Sequence, residues 1–111
     1  MGNLLDASPD DLLLEIGTAL AQRTPQMPPP TRDELIAKAR AWLRLRRDDL
    51  RRVLCSPRLR ELEKSPNKKL LFDAVCEVTI HVVTGVPAGC VAAYIIQRGL
   101  AAFCNEDQPG G

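Results

Sequence analysis

Aromatic residues are scarce: one Trp, one Tyr and two Phe make up 4 % of the 111 residues. Proteins that read single-stranded bases stack them on aromatic side chains, so this scarcity weighs against base recognition. Histidine is scarcer still, with His81 alone. With one histidine, no Gly-rich phosphate loop and no nucleophile elbow, the chain has little with which to run acid–base or nucleophilic chemistry. A non-enzymatic protein is expected. The four cysteines (Cys55, Cys76, Cys90, Cys104) contain no C-x-x-C pair. Structural zinc usually draws its ligands in close pairs. Cys76 and His81 are five residues apart, a spacing that does not align them on one helix face, and Cys90 and Cys104 are fourteen apart. No metal and no cofactor is expected, and the cysteines read as buried, inert thiols.

A basic leader is also missing. Residues 1–20 have no cationic start and carry Asp6, Asp10, Asp11 and Glu15, so no signal peptide is expected. The default is a cytoplasmic setting with reduced thiols. Gly2 does not make a myristoylation signal, because Asp6 stands where Ser or Thr is usual. Val78 to Gln97 is a run of twenty residues without formal charge, but Gly85, Pro87 and Gly89 interrupt it. Two short buried helices account for this run better than one membrane span.

What the chain does have is an apolar C-terminal third. Of the 35 residues from Leu70 to Cys104, 24 are apolar and only Asp73, Glu77 and Arg98 are charged. This stretch is expected to supply most of the core of one helical domain spanning 1–111. Charge is partitioned along the chain. Residues 1–37 carry −4, residues 38–69 carry +8 and residues 70–111 carry −3, within a net charge of +1. A basic middle between acidic ends implies internal pairing or an anionic partner.

Helix signals divide the chain into an all-α bundle of four main helices, about 9–22, 32–55, 66–84 and 87–104, with a short helix at about 57–64. Ser8-Pro9-Asp10-Asp11 opens the first, combining a cap, a proline that needs no N–H partner and two acids at the positive end of the helix dipole. Residues 24–30 (TPQMPPP) form a stiff Pro-rich connector, preferred over a proline ligand for a partner domain. Thr31 and Glu34 form a capping box for the long helix. Ser56-Pro57 and Ser65-Pro66 repeat the cap-then-proline arrangement and read as helix starts rather than phosphorylation sites. Between Glu77 and Val83, β-branched residues alternate with polar ones as in a strand. The helical spacing of Leu71, Ala74, Val75, Val78 and Val82 favours helix. Gly85 stops that helix and Pro87 opens the last one, whose apolar circumference marks it as central or as covered by another molecule. Gly89 and Ala93 allow a neighbouring helix to approach closely. Residues 105–111 read as a flexible tail, including Gly110-Gly111, since the chain does not otherwise look like a β-rich ubiquitin-like modifier.

The most informative pattern lies on the long helix. Arg40, Arg44, Arg47 and Arg51 recur at i, i+4, i+7 and i+11 and share one side, flanked by Arg46 and Arg52 and opposed within the helix by Asp48 and Asp49. This stripe reads as a partner-binding face for an acidic protein surface, which makes the chain a non-enzymatic interaction, adaptor or regulatory module. Self-association through the apolar C-terminal helix is a further expectation. The alternative is a small nucleic-acid-binding regulator that uses the same arginines with Lys68 and Lys69.

Overall fold

The computed structural model describes residues 4–22 and 28–105. A 3₁₀ turn at Leu4–Asp6 leads into α1 (Pro9–Gln22), α2 (Arg32–Leu54), α3 (Pro57–Lys64), α4 (Lys68–Thr79), α5 (Ala88–Arg98) and α6 (Leu100–Asn105). The all-α architecture expected from the sequence is what forms. Of the connector, Pro28 to Pro30 are non-helical, and 24–27 lie outside the described residues, as do 106–111 of the expected tail.

The first three helix starts follow directly from local chemistry. Ser8 Oγ accepts the N–H of Asp11 at 3.1 Å. At α2 the Glu34 N–H donates to Thr31 Oγ1 at 3.2 Å, while the Thr31 N–H donates to Glu34 Oε1 at 3.0 Å. The Thr31 backbone N–H, and after it the Thr31 side chain, bonds to the ionised carboxylate and holds Glu34 below its ordinary pKa. Ser56 Oγ accepts from Leu59 N–H at 3.3 Å, with Pro57 in the first turn of α3. Each cap satisfies a backbone donor that the helix itself cannot.

Three boundaries differ from expectation. Ser65-Pro66 does not start α4: Ser65 closes α3, and Asn67 is the cap, accepting from Lys69 N–H at 3.1 Å. At its other end α4 stops at Thr79 rather than 84. The chain then turns through hydrogen bonds from His81 N–H to Val78 and from Val82 N–H to Thr79. Such i→i+3 bonds tighten a helix end, and the β-branched run here has little propensity to carry the helix further. Residues 77–83 are therefore helix and then turn, not strand. The expected 87–104 helix is also two helices. Gly99 has φ 95° and breaks it after Arg98. Only a residue without Cβ adopts this backbone readily, and it turns the chain into α6.

The core is one cluster drawn from every helix, including Leu12, Leu13 and Ile16 of α1, Leu50 and Leu54 of α2, Leu71 and Val75 of α4, and Leu100 of α6. α5 is central. Val91, Ala92, Ala93 and Ile95 are buried, and α5 packs against α1, α4, α6 and the 3₁₀ turn. Its own chain covers most of its apolar circumference and leaves Tyr94 and Ile96 partly exposed. Gln97 secures the turn by donating from Nε2 to the carbonyls of Leu5, at 3.1 Å, and Ala7. Gly89 faces Leu4 and Phe72, but the tightest approach is at Gly17, where a methyl group would overlap the Leu35 carbonyl oxygen and lie 2.7 Å from its carbon.

The expectation of four reduced thiols is overturned at two positions. Cys55 and Cys104, 49 residues apart, form a disulfide with Cα atoms 5.7 Å apart. Cys55 follows α2 and Cys104 lies in α6, so the fold juxtaposes cysteines that sequence spacing keeps far apart.

Two stability measurements test this packing. Gly17→Ala should cost about 3 kcal/mol or more in denaturant unfolding, because the clash is with backbone that no rotamer change relieves. Replacing Cys55 and Cys104 together by Ser should remove about 2–4 kcal/mol, the usual range for a disulfide that closes a long loop.

Candidate binding cleft on the arginine face

Along α2, Ile36, Ala39, Leu50 and Leu54 turn into the core, with Leu43 half-buried between them. Arg40, Arg44 and Arg47 stand beside that apolar stripe, on the flank nearest α5 and α6. These three line a cleft of about 450 Å³ between the helices. From α5 come Tyr94, Ile95 and Arg98, and from α6 comes Phe103, while Leu43 extends the apolar floor. The sequence stripe thus becomes one wall of a concavity, and a fourth arginine, 51 positions beyond Arg47, joins from the facing helix.

The arginines are held differently. Arg40 Nη2 lies 3.6 Å from Asp10 Oδ1, with side chains 57 % and 54 % exposed. A pair this exposed is worth about 0–1 kcal/mol and gives way to a better partner. Arg44 is exposed and makes no ion pair among the described residues. Arg98 donates to the Tyr94 hydroxyl at 3.3 Å, and its guanidinium lies 5.8 Å from the Tyr94 ring centroid. Arg51 is not part of the cleft. It is half-buried and donates to the backbone carbonyl of Cys104, beside the disulfide. A stripe of four that looks uniform in sequence therefore contains three cleft residues and one clasp.

Asp48 and Asp49, the acids placed to neutralise the stripe, form no ion pair among the described residues. Asp10 of α1 reaches the stripe at Arg40, and Asp11 of the same helix reaches Arg32 at 3.4 Å. Trp42 is half-buried against the core, with Arg46 5.9 Å from its ring centroid. Sequence reading missed Tyr94, Arg98 and Phe103. Phe103 reaches the cleft through the break at Gly99, and no spacing in the chain announces the convergence of the three on α2.

The remaining polar chemistry is sparse. Cys76 is half-buried and Cys90 buried, neither in a disulfide. Burial pushes both thiols above the ordinary cysteine range, with smaller contributions from Asp73 at Cys76 and Glu15 at Cys90. No group of three potential metal ligands occurs among the described residues, and no helix among them is long and apolar enough to cross a membrane. No known protein family, curated protein or solved structure matches the chain.

The thiols give a direct test of this chemistry. A raised pKa leaves less thiolate near neutral pH, and the fraction grows only as pH climbs past the ordinary 9.0. Iodoacetamide should label Cys76 and Cys90 in the folded protein at least about tenfold more slowly than free glutathione near neutral pH. Labelling should accelerate in alkaline buffer. Fast labelling at neutral pH would indicate an activated thiol.

Proposed function

We propose that this protein is a non-enzymatic docking module of the adaptor or regulatory kind. Its cleft between α2, α5 and α6 binds an acidic segment of a protein partner. One observation carries this reading: Arg40, Arg44, Arg47 and Arg98 gather around an apolar floor in a concavity of about 450 Å³. The chemistry of that lining selects a segment in which carboxylates flank an apolar side chain. The side chain would fill the floor between Leu43 and Ile95, and the carboxylates would meet guanidinium forks, which bind them in bidentate geometry. The weak pair to Asp10 keeps the rim occupied until a stronger acid displaces it.

Nucleic acid fits this lining less well. Phosphate contacts need clustered arginines, which are present, but stacking needs an open aromatic face. Phe103 is only 6 % exposed and Arg98 already stacks on Tyr94. The compartment we propose is the cytoplasm. There a disulfide is usually transient or redox-sensing, so the Cys55–Cys104 bond would act as a regulated tie.

A fluorescein-labelled peptide with glutamates on both sides of a leucine should bind in low salt, read by polarisation. Arg44→Glu should weaken it tenfold or more with helical circular dichroism unchanged, and added salt should weaken it as well. Single- and double-stranded DNA probes run in the same assay decide the competing reading. Arg44-dependent binding of DNA in preference to the peptide would replace the acidic segment with nucleic acid.

A further inference from the structure

A second groove, of about 500 Å³, lies between α3 and α4. Its floor is Leu62, Leu70 and Ala74, and its rim carries Glu61, Asp73 and Glu77 with one cation, Arg58. Leu70 is 51 % exposed, an unusual position for a leucine in a chain that buries its other α4 apolar residues wholly or partly. Asp73 and Glu77 follow it by three and seven positions and so share its helix face. Neither acid forms an ion pair among the described residues, and Glu61 pairs only with Lys64, at 3.6 Å with both side chains 76 % exposed. The groove therefore sets an exposed leucine beside two uncommitted carboxylates, Asp73 and Glu77, with Arg58 as the rim's cation.

We propose that the occupant of the arginine cleft is the α3/α4 face of a second copy of this chain, a proposal that rests on reading the cleft as an acid-binding site. The two linings are complementary in sign, and each sets apolar residues beside charged ones. Leu70 of one copy seats on Leu43 and Ile95 of the next, while Asp73 and Glu77 meet Arg44 and Arg47. The contact joins two different patches, so it is heterologous and builds a closed ring or an open chain according to the rotation it imposes. Opposite local charges on a molecule of net charge +1 steer the copies together without strong overall repulsion.

Charge reversal on each side separates this from other modes of association. Arg44 and Asp73 are both exposed, so Arg44→Glu and Asp73→Arg should leave the helical circular dichroism signal intact. In sedimentation velocity at low salt the wild type should associate as its concentration rises. Each variant alone should associate at least tenfold more weakly. An equimolar mixture of the two should recover association, because it reunites an intact cleft with an intact groove. A wild type that stays monomeric at the highest concentration, or a mixture no better than its components, overturns the proposal. If the glutamate–leucine peptide still binds in an Arg44-dependent way in that case, the cleft reading stands and only the second copy is excluded. If the peptide fails as well, both readings fall.

Discussion

A covalent bond between residues 49 positions apart holds α6 against the end of α2, and the arginine face takes its shape from that attachment. Six residues make a helix too short to persist by itself in water. α6 persists because several independent contacts hold it. The disulfide fixes Cys104, Arg51 donates to the Cys104 carbonyl, and the Glu63 carboxylate accepts the Leu100 N–H at its first turn. Leu100 and Phe103 are buried beneath it. Without that return the cleft loses one wall, and the arginines of α2 would face open water. The disulfide is therefore one of several contacts that seat Phe103 at the edge of the cleft.

Much of this was legible in the sequence, and the legible parts share a cause. The boundaries of α1, α2 and α3 rest on side chains that bond to backbone three residues away, as Ser8, Thr31 and Ser56 do. Such contacts depend on sequence neighbours alone. Ser65 shows how the same signal misleads: its hydroxyl accepts from Asn67 N–H at 3.2 Å, and the cap passes two positions downstream. The unread features all join residues distant in the chain. Gly17 against Leu35, Arg51 against Cys104, and Glu63 against Leu100 need the packed fold before they exist. Gly99 lies between the two cases. A glycine in an apolar helical run is visible in sequence, but whether it is tolerated or takes φ 95° depends on where the following residues can be buried.

The arginine stripe shows how periodicity both reveals and conceals. Helical spacing placed Arg40, Arg44, Arg47 and Arg51 on one side, and they do share it. What spacing cannot express is that neighbours change along a 23-residue helix. Near its start α2 lies beside α1, so Arg40 meets Asp10. Farther along, the cleft opens at Arg44 and Arg47 and separates it from Tyr94 and Arg98 of α5. At its end α6 arrives, and Arg51 turns to a carbonyl. The charge partition along the chain undergoes the same sorting. The acidic N-terminal segment reaches the basic middle through Asp10, at Arg40, while Asp11 pairs with Arg32 of its own segment, leaving Arg44 beyond their span.

The same sorting leaves the acids of α4 unspent. Asp73 and Glu77 sit in the apolar third of the sequence, where they look incidental, yet no cation of the described chain pairs with them. A fold that satisfied its charges internally would have no reason to keep a half-exposed leucine beside uncommitted carboxylates, nor an exposed arginine above an apolar floor. Each surface alone is an ordinary solvated patch. Together they are opposite in sign and built on the same pattern of apolar and charged residues. That correspondence within one short chain is the physical reason to look to a second copy for the partner before looking to any other protein.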